Sequence, residues 1–259
     1  MRIAISVMIA VLFVVMLAGC SGGGGVPTVT LGSDPVTSPP VGTAAVSPTV
    51  AKFGPVANYL PPSGTIINYG VSSLMSMKSR TVRLQFVSYD NVAGTMVLDI
   101  QDTSEEGPSH SRFTFWVKPI SGQSYCYKRK KVFYDEVRTA ETSTFTPGVL
   151  MGLFSSTPAS VNVTFNEAGH STGSHTYTEK YLGNATVVAG TTTYSNCVIS
   201  ETSKFMPGDV AKIAMYWAPN KGPIMAALSP AISIKGLTVR LPRWCSMSSA
   251  KVTSVTTAD

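Results

Sequence analysis

Histidine is scarce in this chain: only His110, His170 and His175 occur among its 259 residues. A metal centre needs several converging ligands. His170 and His175 stand in a Gly/Ser/Thr-rich stretch with Gly169 and Gly173, and no third ligand is close in sequence. Neither a metal nor a cofactor is expected. The sequence also lacks a G-x-S-x-G elbow, a phosphate-binding glycine loop and an H-E-x-x-H helix, so it is read as a non-enzyme. Charge is sparse, at 13% of residues, and the formal net charge of +6 is spread thinly. That pattern gives no footing for nucleic-acid binding. The four cysteines form neither a CxxC pair nor a zinc cluster. Beyond the first twenty residues, no apolar run is long enough to span a bilayer.

What is present begins with a leader. Arg2 supplies a positive start, and Ile3 to Leu17, interrupted only by Ser6, is an apolar run too short for a comfortable membrane span. It ends in Leu17-Ala18-Gly19-Cys20, which resembles the lipobox of bacterial lipoproteins. The resemblance implies cleavage after Gly19 and a diacyl or triacyl anchor, of the palmitate type, on Cys20. Two or more acyl chains hold a protein stably on a membrane where one does not. Ser21, in place of Asp, implies sorting to the outer membrane, facing the periplasm.

Removal of residues 1–19 would leave about 240 residues, enough for a sizeable core. Residues 20–54 carry the lipidated cysteine and a Gly/Pro/Ser/Thr tether, opening with Ser21 and Gly22 to Gly25 and punctuated by Pro27, Pro35, Pro39, Pro40 and Pro48. Such a segment is expected to be disordered, with a reach on the order of 5–6 Å times the square root of its residue number. Residues 55–259 are expected to fold as one β domain. In an oxidising compartment Cys126, Cys197 and Cys245 allow at most one disulfide, with three possible pairings.

Apolar residues recur at every second position in segment after segment. Val82, Leu84 and Phe86 alternate with Arg83 and Gln85, and Met96, Leu98 and Ile100 alternate with Asp99 and Gln101. Asp90-Asn91 between them marks a hairpin turn. Phe113, Phe115 and Val117 share a face, as do Val161, Val163 and Phe165, then Ile213, Met215 and Trp217, and finally Leu237, Val239 and Leu241. The fold class predicted is mainly β: a curved antiparallel sheet or open half-barrel with one wet face, preceded by the tether.

Three stretches carry a family resemblance. They are Ala189 to Val198 with its Asn196-Cys197-Val198, then Tyr216-Trp217-Ala218-Pro219-Asn220-Lys221-Gly222, and the earlier Tyr59-Leu60-Pro61-Pro62-Ser63-Gly64 followed by Tyr69. Together they resemble uncharacterised bacterial envelope lipoproteins over about Tyr59 to Leu228. The resemblance implies a fold like the lipoprotein carrier of the Lol system, an incomplete antiparallel barrel whose concave apolar side shelters an acyl chain.

Three local clusters compete for a role. Glu105-Glu106, beside Gly107-Pro108, reads as a solvated hairpin tip. Lys128-Arg129-Lys130-Lys131 reads as a charged turn or protected sheet edge, with anionic headgroups as the alternative partner. Pro147 to Phe154 is either an apolar tip that touches lipid or a segment packed under the sheet. The expected function is non-enzymatic binding of a hydrophobic ligand or an envelope partner, with Leu150, Met151 and Phe154 as ligand contacts. A structural assembly lipoprotein without a pocket is the alternative.

Overall fold

The computed structural model describes residues 44–73, 79–102, 109–134, 140–169, 172–189, 191–206, 209–228 and 247–256. The alternating segments become twelve strands. They are β1 (Ile66–Ser73), β2 (Ser79–Asp90), β3 (Thr95–Asp102), β4 (Ser109–Ile120), β5 (Gln123–Phe133) and β6 (Glu141–Leu150), then β7 (Ala159–Gly169), β8 (Gly173–Ala189), β9 (Thr192–Met206), β10 (Asp209–Ala218), β11 (Gly222–Leu228) and β12 (Met247–Thr256). From β1 to β11 each strand pairs antiparallel with the next in one curved sheet, as the alternation predicts. That sheet is open on its own. β12 then lies between its two edges, pairing with β1 from Ile66↔Thr256 to Ser73↔Met247 and with β11 over Met225, Ala226 and Ala227, so the strand order returns on itself as a closed barrel.

The predicted hairpin is β2–β3, with Leu84 opposite Ile100 and Phe86 opposite Leu98. Its turn is built by Asp90, whose Oδ1 accepts the N–H of Val92 at 2.7 Å and of Ala93 at 2.8 Å. Those two bonds hold the Asp90 carboxyl below its ordinary range. Gly94 closes the turn at φ 67°, where a Cβ would lie 2.6 Å from the Val117 carbonyl oxygen. Only glycine fits there without strain.

The apolar face points inward. Phe86, Met96, Leu98, Phe113, Phe115 and Phe165 are all buried in one core, each contributing about 1.5–3 kcal/mol by leaving water. The outward faces of β6, β7 and β8 carry exposed Thr142, Thr144, Asn162, Thr164, Asn166 and Thr176. Thr164 Oγ1 and Thr176 Oγ1 meet at 3.0 Å, and Thr178 donates to Asn162 at 2.8 Å. On these three strands the outward face is polar, unlike the apolar band that a membrane-spanning barrel turns to lipid. No helix among the described residues is long and apolar enough to cross a membrane.

One end of the barrel is plugged by the chain that precedes it. Helix α1 (Val50–Phe53) and a 3-10 turn (Gly54–Asn58) pack against β4 and β5. Phe53 is fully buried, edge-on to Tyr89 at 5.8 Å. Thr49 N–H donates to Asn91 Oδ1 at 2.9 Å and Val56 N–H donates to Ser124 Oγ at 3.0 Å. Packing therefore extends upstream of Pro55: Phe53, among the last residues assigned to the tether, is buried in the core, and Thr49 bonds to the β2–β3 turn. The run Leu237, Val239 and Leu241 lies outside the described residues, as do Cys20, Glu105 and Glu106.

Candidate functional site

The segments that carry the family resemblance meet at the plugged end. Gly222 N–H donates to the Tyr59 carbonyl at 2.6 Å and Asn220 N–H to the Asn58 carbonyl at 3.1 Å. Tyr69 adds its hydroxyl to the Pro223 carbonyl at 2.6 Å. Full burial raises the Tyr69 phenol far above its usual range, so it stays a neutral donor. These residues fasten the plug to the β10–β11 hairpin, a structural task.

The apolar run Pro147 to Phe154 ends at the same place. Leu150, Met151 and Phe154 are only 4%, 2% and 8% exposed. Phe154 stacks on Tyr59 with centroids 4.6 Å apart and meets Trp217 edge-on at 5.5 Å. Of the two alternatives, the packed segment is the one observed, since β6 leads directly inward after Val149 and Leu150. The three residues line no exposed tip.

The run Lys128 to Lys131 is neither a turn nor an edge. It lies in the middle of β5, between β4 and β6. Strand alternation splits it: Arg129 and Lys131 are buried, while Lys130 is exposed and Lys128 sets its Nζ 4.8 Å over the Trp116 ring. A bulge at Tyr127, where Trp116 pairs with Lys128 but Val117 pairs with Cys126, changes the parity of the inward positions. Ser124 and Cys126 point in before it, and Arg129 and Lys131 point in after it.

Register then assembles a charged patch on the interior wall, toward the end opposite the plug. Arg129 faces Ser143 across β5–β6, and Lys131 faces Glu141. Glu167 sits beside Phe145 on β7, and His175 faces Phe165 on β8. The His175 ring lies over Phe165 at 5.1 Å, with Nε2 3.7 Å from Glu167 Oε2. His175 thus belongs to a strand rather than to the loop expected for it; His170 lies outside the described residues.

This patch is unusual in its satisfaction. Arg129 Nη1, Ser143 Oγ and both carboxylate oxygens of Glu167 are buried and take part in no hydrogen bond. A buried polar group left so costs about 1–3 kcal/mol, and more when charged. Burial lowers the Arg129 guanidinium, opposed by the charges of Glu167, Cys126 and Glu141 in that order. The arrangement offers a fixed cation, a hydroxyl and an acceptor on one wall. It contains no nucleophile paired with a base, and no three His, Cys, Asp or Glu side chains among the described residues converge to hold a metal.

A second buried carboxylate, Glu179, lies farther along β8. Its Oε2 accepts the Thr202 hydroxyl at 2.5 Å. Desolvation pushes it up to about 8, against the hydrogen bonds from Thr202, Ser200 and the Leu153 N–H. Cys126 and Cys197 are both buried free thiols, so they do not pair with each other; Cys245 lies outside the described residues. On the outer wall Arg112 grips Asp99 with Nε and Nη2, each at 2.7 Å. Burial works to raise the Asp99 carboxyl, but the two bonds from Arg112, with His110 Nε2 3.8 Å away, outweigh it and hold it low.

No family model matches the chain. No curated protein matches it either. Among solved structures it is similar to a protein of Bacteroides fragilis NCTC 9343 described in the words "exported protein with YmcC-like fold". The two align with a TM-score of 0.41 and 11% identity, over 79% of this chain and 99% of that one. So distant a likeness supplies no residue-by-residue correspondence.

Proposed function

We propose that this chain is an exported lipoprotein, anchored through acylated Cys20 in the bacterial envelope, whose barrel acts by joining an envelope partner and not by catalysis. Of the two binding modes open to such a protein, assembly is favoured over carriage of an acyl chain. The observation behind that choice is the burial of Leu150, Met151 and Phe154 among Tyr59, Trp217 and the rest of the core. Their low exposure and their ring contacts with the protein's own side chains support the assembly reading. The leader and lipobox support export to the periplasmic face of the outer membrane, and the residues between Cys20 and the plug supply reach.

The test is cross-linking in intact cells followed by recovery of the full-length chain, beside a Cys20→Ser variant. The wild-type chain is expected to sediment with membranes and to carry one envelope protein at fixed stoichiometry. Cys20→Ser should leave the membrane fraction. Recovery without any stoichiometric partner would overturn the assembly reading.

A further inference from the structure

We propose that the plugged end of the barrel is a docking face for an anionic lipid bilayer. Its place in the cell rests on the anchored reading above; its chemistry rests on which side chains the fold leaves exposed there. Six large apolar side chains are exposed among the described residues, and four of them, Val46, Val50, Val92 and Val188, belong to this end. Val92 tops the β2–β3 turn at 84% exposure, Val50 stands on α1 at 49%, and Val46 lies just upstream at 38%. Thr49 N–H donates to Asn91 Oδ1 at 2.9 Å and Asn91 Nδ2 to the Ser47 carbonyl at 3.0 Å, so these three valines flank one fastened junction. Val188 lies on the β8–β9 hairpin, which leaves the barrel at the same end. Single exposed valines are ordinary, but a group on one end calls for an apolar cover.

Cations frame the same end. Lys52 lies in the last turn of α1, Lys118 precedes the β4–β5 turn, and Lys221 sits in the β10–β11 turn. Lys128 stands level with the β2–β3 turn, because Thr95 pairs with Trp116 and Trp116 with Lys128. The Val117 N–H, donating to the Gly94 carbonyl at 2.8 Å, ties the β4–β5 end to that turn. Among the described residues of the turns at this end, Asp90 is the one acid, and its Oδ1 is taken by the N–H groups of Val92 and Ala93. Lys118 and Lys128 set their Nζ atoms 5.0 and 4.8 Å over the rings of Tyr127 and Trp116. Aromatic rings with ammonium groups beside them are side chains that settle at the headgroup level of a bilayer, while exposed apolar tips reach the acyl boundary below it. An acidic protein would match the lysines but leave the valines unmatched. An anionic bilayer matches both.

The chain also delivers this end to a membrane. Residues 20–43 lie between the lipobox cysteine and the plug, and a coil of that length spans on the order of 25–30 Å. The tether therefore meets the barrel on the end that carries the valines and lysines. Tethering raises the local concentration of lipid, so a weak contact suffices.

The test uses the mature chain from residue 20 with Cys20→Ser, which carries no acyl group, in sedimentation with sucrose-loaded vesicles. Partition into vesicles containing phosphatidylglycerol should exceed that into pure phosphatidylcholine by about tenfold or more, and the preference should vanish in about 1 M salt, where charges are screened beyond about 3 Å. Lys52→Gln with Lys118→Gln should lower the partition about twenty-five-fold, or about fivefold per lysine. Val50→Ser with Val92→Ser should lower it about tenfold at unchanged charge. Arg80→Gln with Lys204→Gln removes the same charge from the opposite half of the barrel and should change it by less than about twofold. No binding to either vesicle, equal binding to both, or an equal loss from the two charge pairs would overturn the proposal, the last by reducing it to the general attraction of a basic chain. The vesicle assay contains no acyl anchor, and a contact this weak is lost on washing, so release of Cys20→Ser from cell membranes tests the anchor alone.

Discussion

Tyr177 and Leu150 hold each other by both polar groups of one peptide position: the Leu150 N–H donates to the Tyr177 hydroxyl at 2.9 Å, and that hydroxyl donates back to the Leu150 carbonyl at 3.3 Å. The bond fixes the point where β6 stops being a strand and the segment through Phe154 turns into the core. Burial raises the phenol well above its usual range, so it keeps its proton at any working pH. Tyr177→Phe removes both bonds and leaves two buried backbone groups unpaired. Its expected cost is about 1–3 kcal/mol, read as a lower midpoint in urea unfolding at unchanged m-value.

Glu179 sets a pH dependence of opposite sign to that of a salt-bridged carboxylate. Its folded pKa, about 8, lies above the ordinary 4.5, so the folded state binds the proton more tightly than the unfolded one. The stabilisation is complete below about 4.5 and is lost as pH rises through about 8. Glu179→Gln keeps a neutral group of the same shape. The variant should unfold at a Tm that changes less than wild type between pH 5 and 8, and should exceed wild type at the upper end. A wild-type Tm rising over that interval with no change of slope in the variant would contradict the assignment.

Neighbours in the basic run should behave as different residue classes. Arg129→Ala removes a buried side chain and the cation whose charge is felt by Glu167, with an expected loss of about 1–3 kcal/mol. Lys130→Ala, on the exposed face next to it, should fall within about 0.5 kcal/mol of wild type. Equilibrium denaturation of the two variants side by side checks the alternation directly.

That run also shows where sequence reading succeeds and where it stops. The hairpin of Val82–Phe86 with Met96–Ile100 is legible because Val82, Leu84 and Phe86 and then Met96, Leu98 and Ile100 keep period-2 burial on both strands, even though a bulge at Val87 shifts the buried parity to Tyr89 before the turn that Asp90 caps. The strand character of Phe113–Val117, Val161–Phe165 and Met215–Trp217 was legible for the same reason. Arg129 and Lys131 were not, because the bulge at Tyr127 shifts inward positions from even to odd numbers, and a bulge has no compositional mark here. Glu167 carries no signal of its own among Thr and Asn, and His175 reads as a loop residue because Gly and Ser surround it. Only register across β5 to β8 brings them to one wall. The plug was missed for a different reason: residues 44–54 have the composition of a tether, and a single phenylalanine, Phe53, decides that they pack.

The weight of that one ring is measurable. Phe53→Ala, which empties a fully buried position against Tyr89, should cost about 3–5 kcal/mol. A chain cut to begin at Pro55 should lose at least as much. If thermal unfolding of either matched wild type, residues 44–54 would be tether after all.

The most direct test of the account is native mass spectrometry of the full-length mature chain, released gently from detergent. The predicted mass is that of the polypeptide from Cys20 plus its covalent acyl groups, with no second lipid travelling with it. A further lipid-sized mass, non-covalent and removable by collision, would contradict the packed interior and restore the acyl-carrier reading.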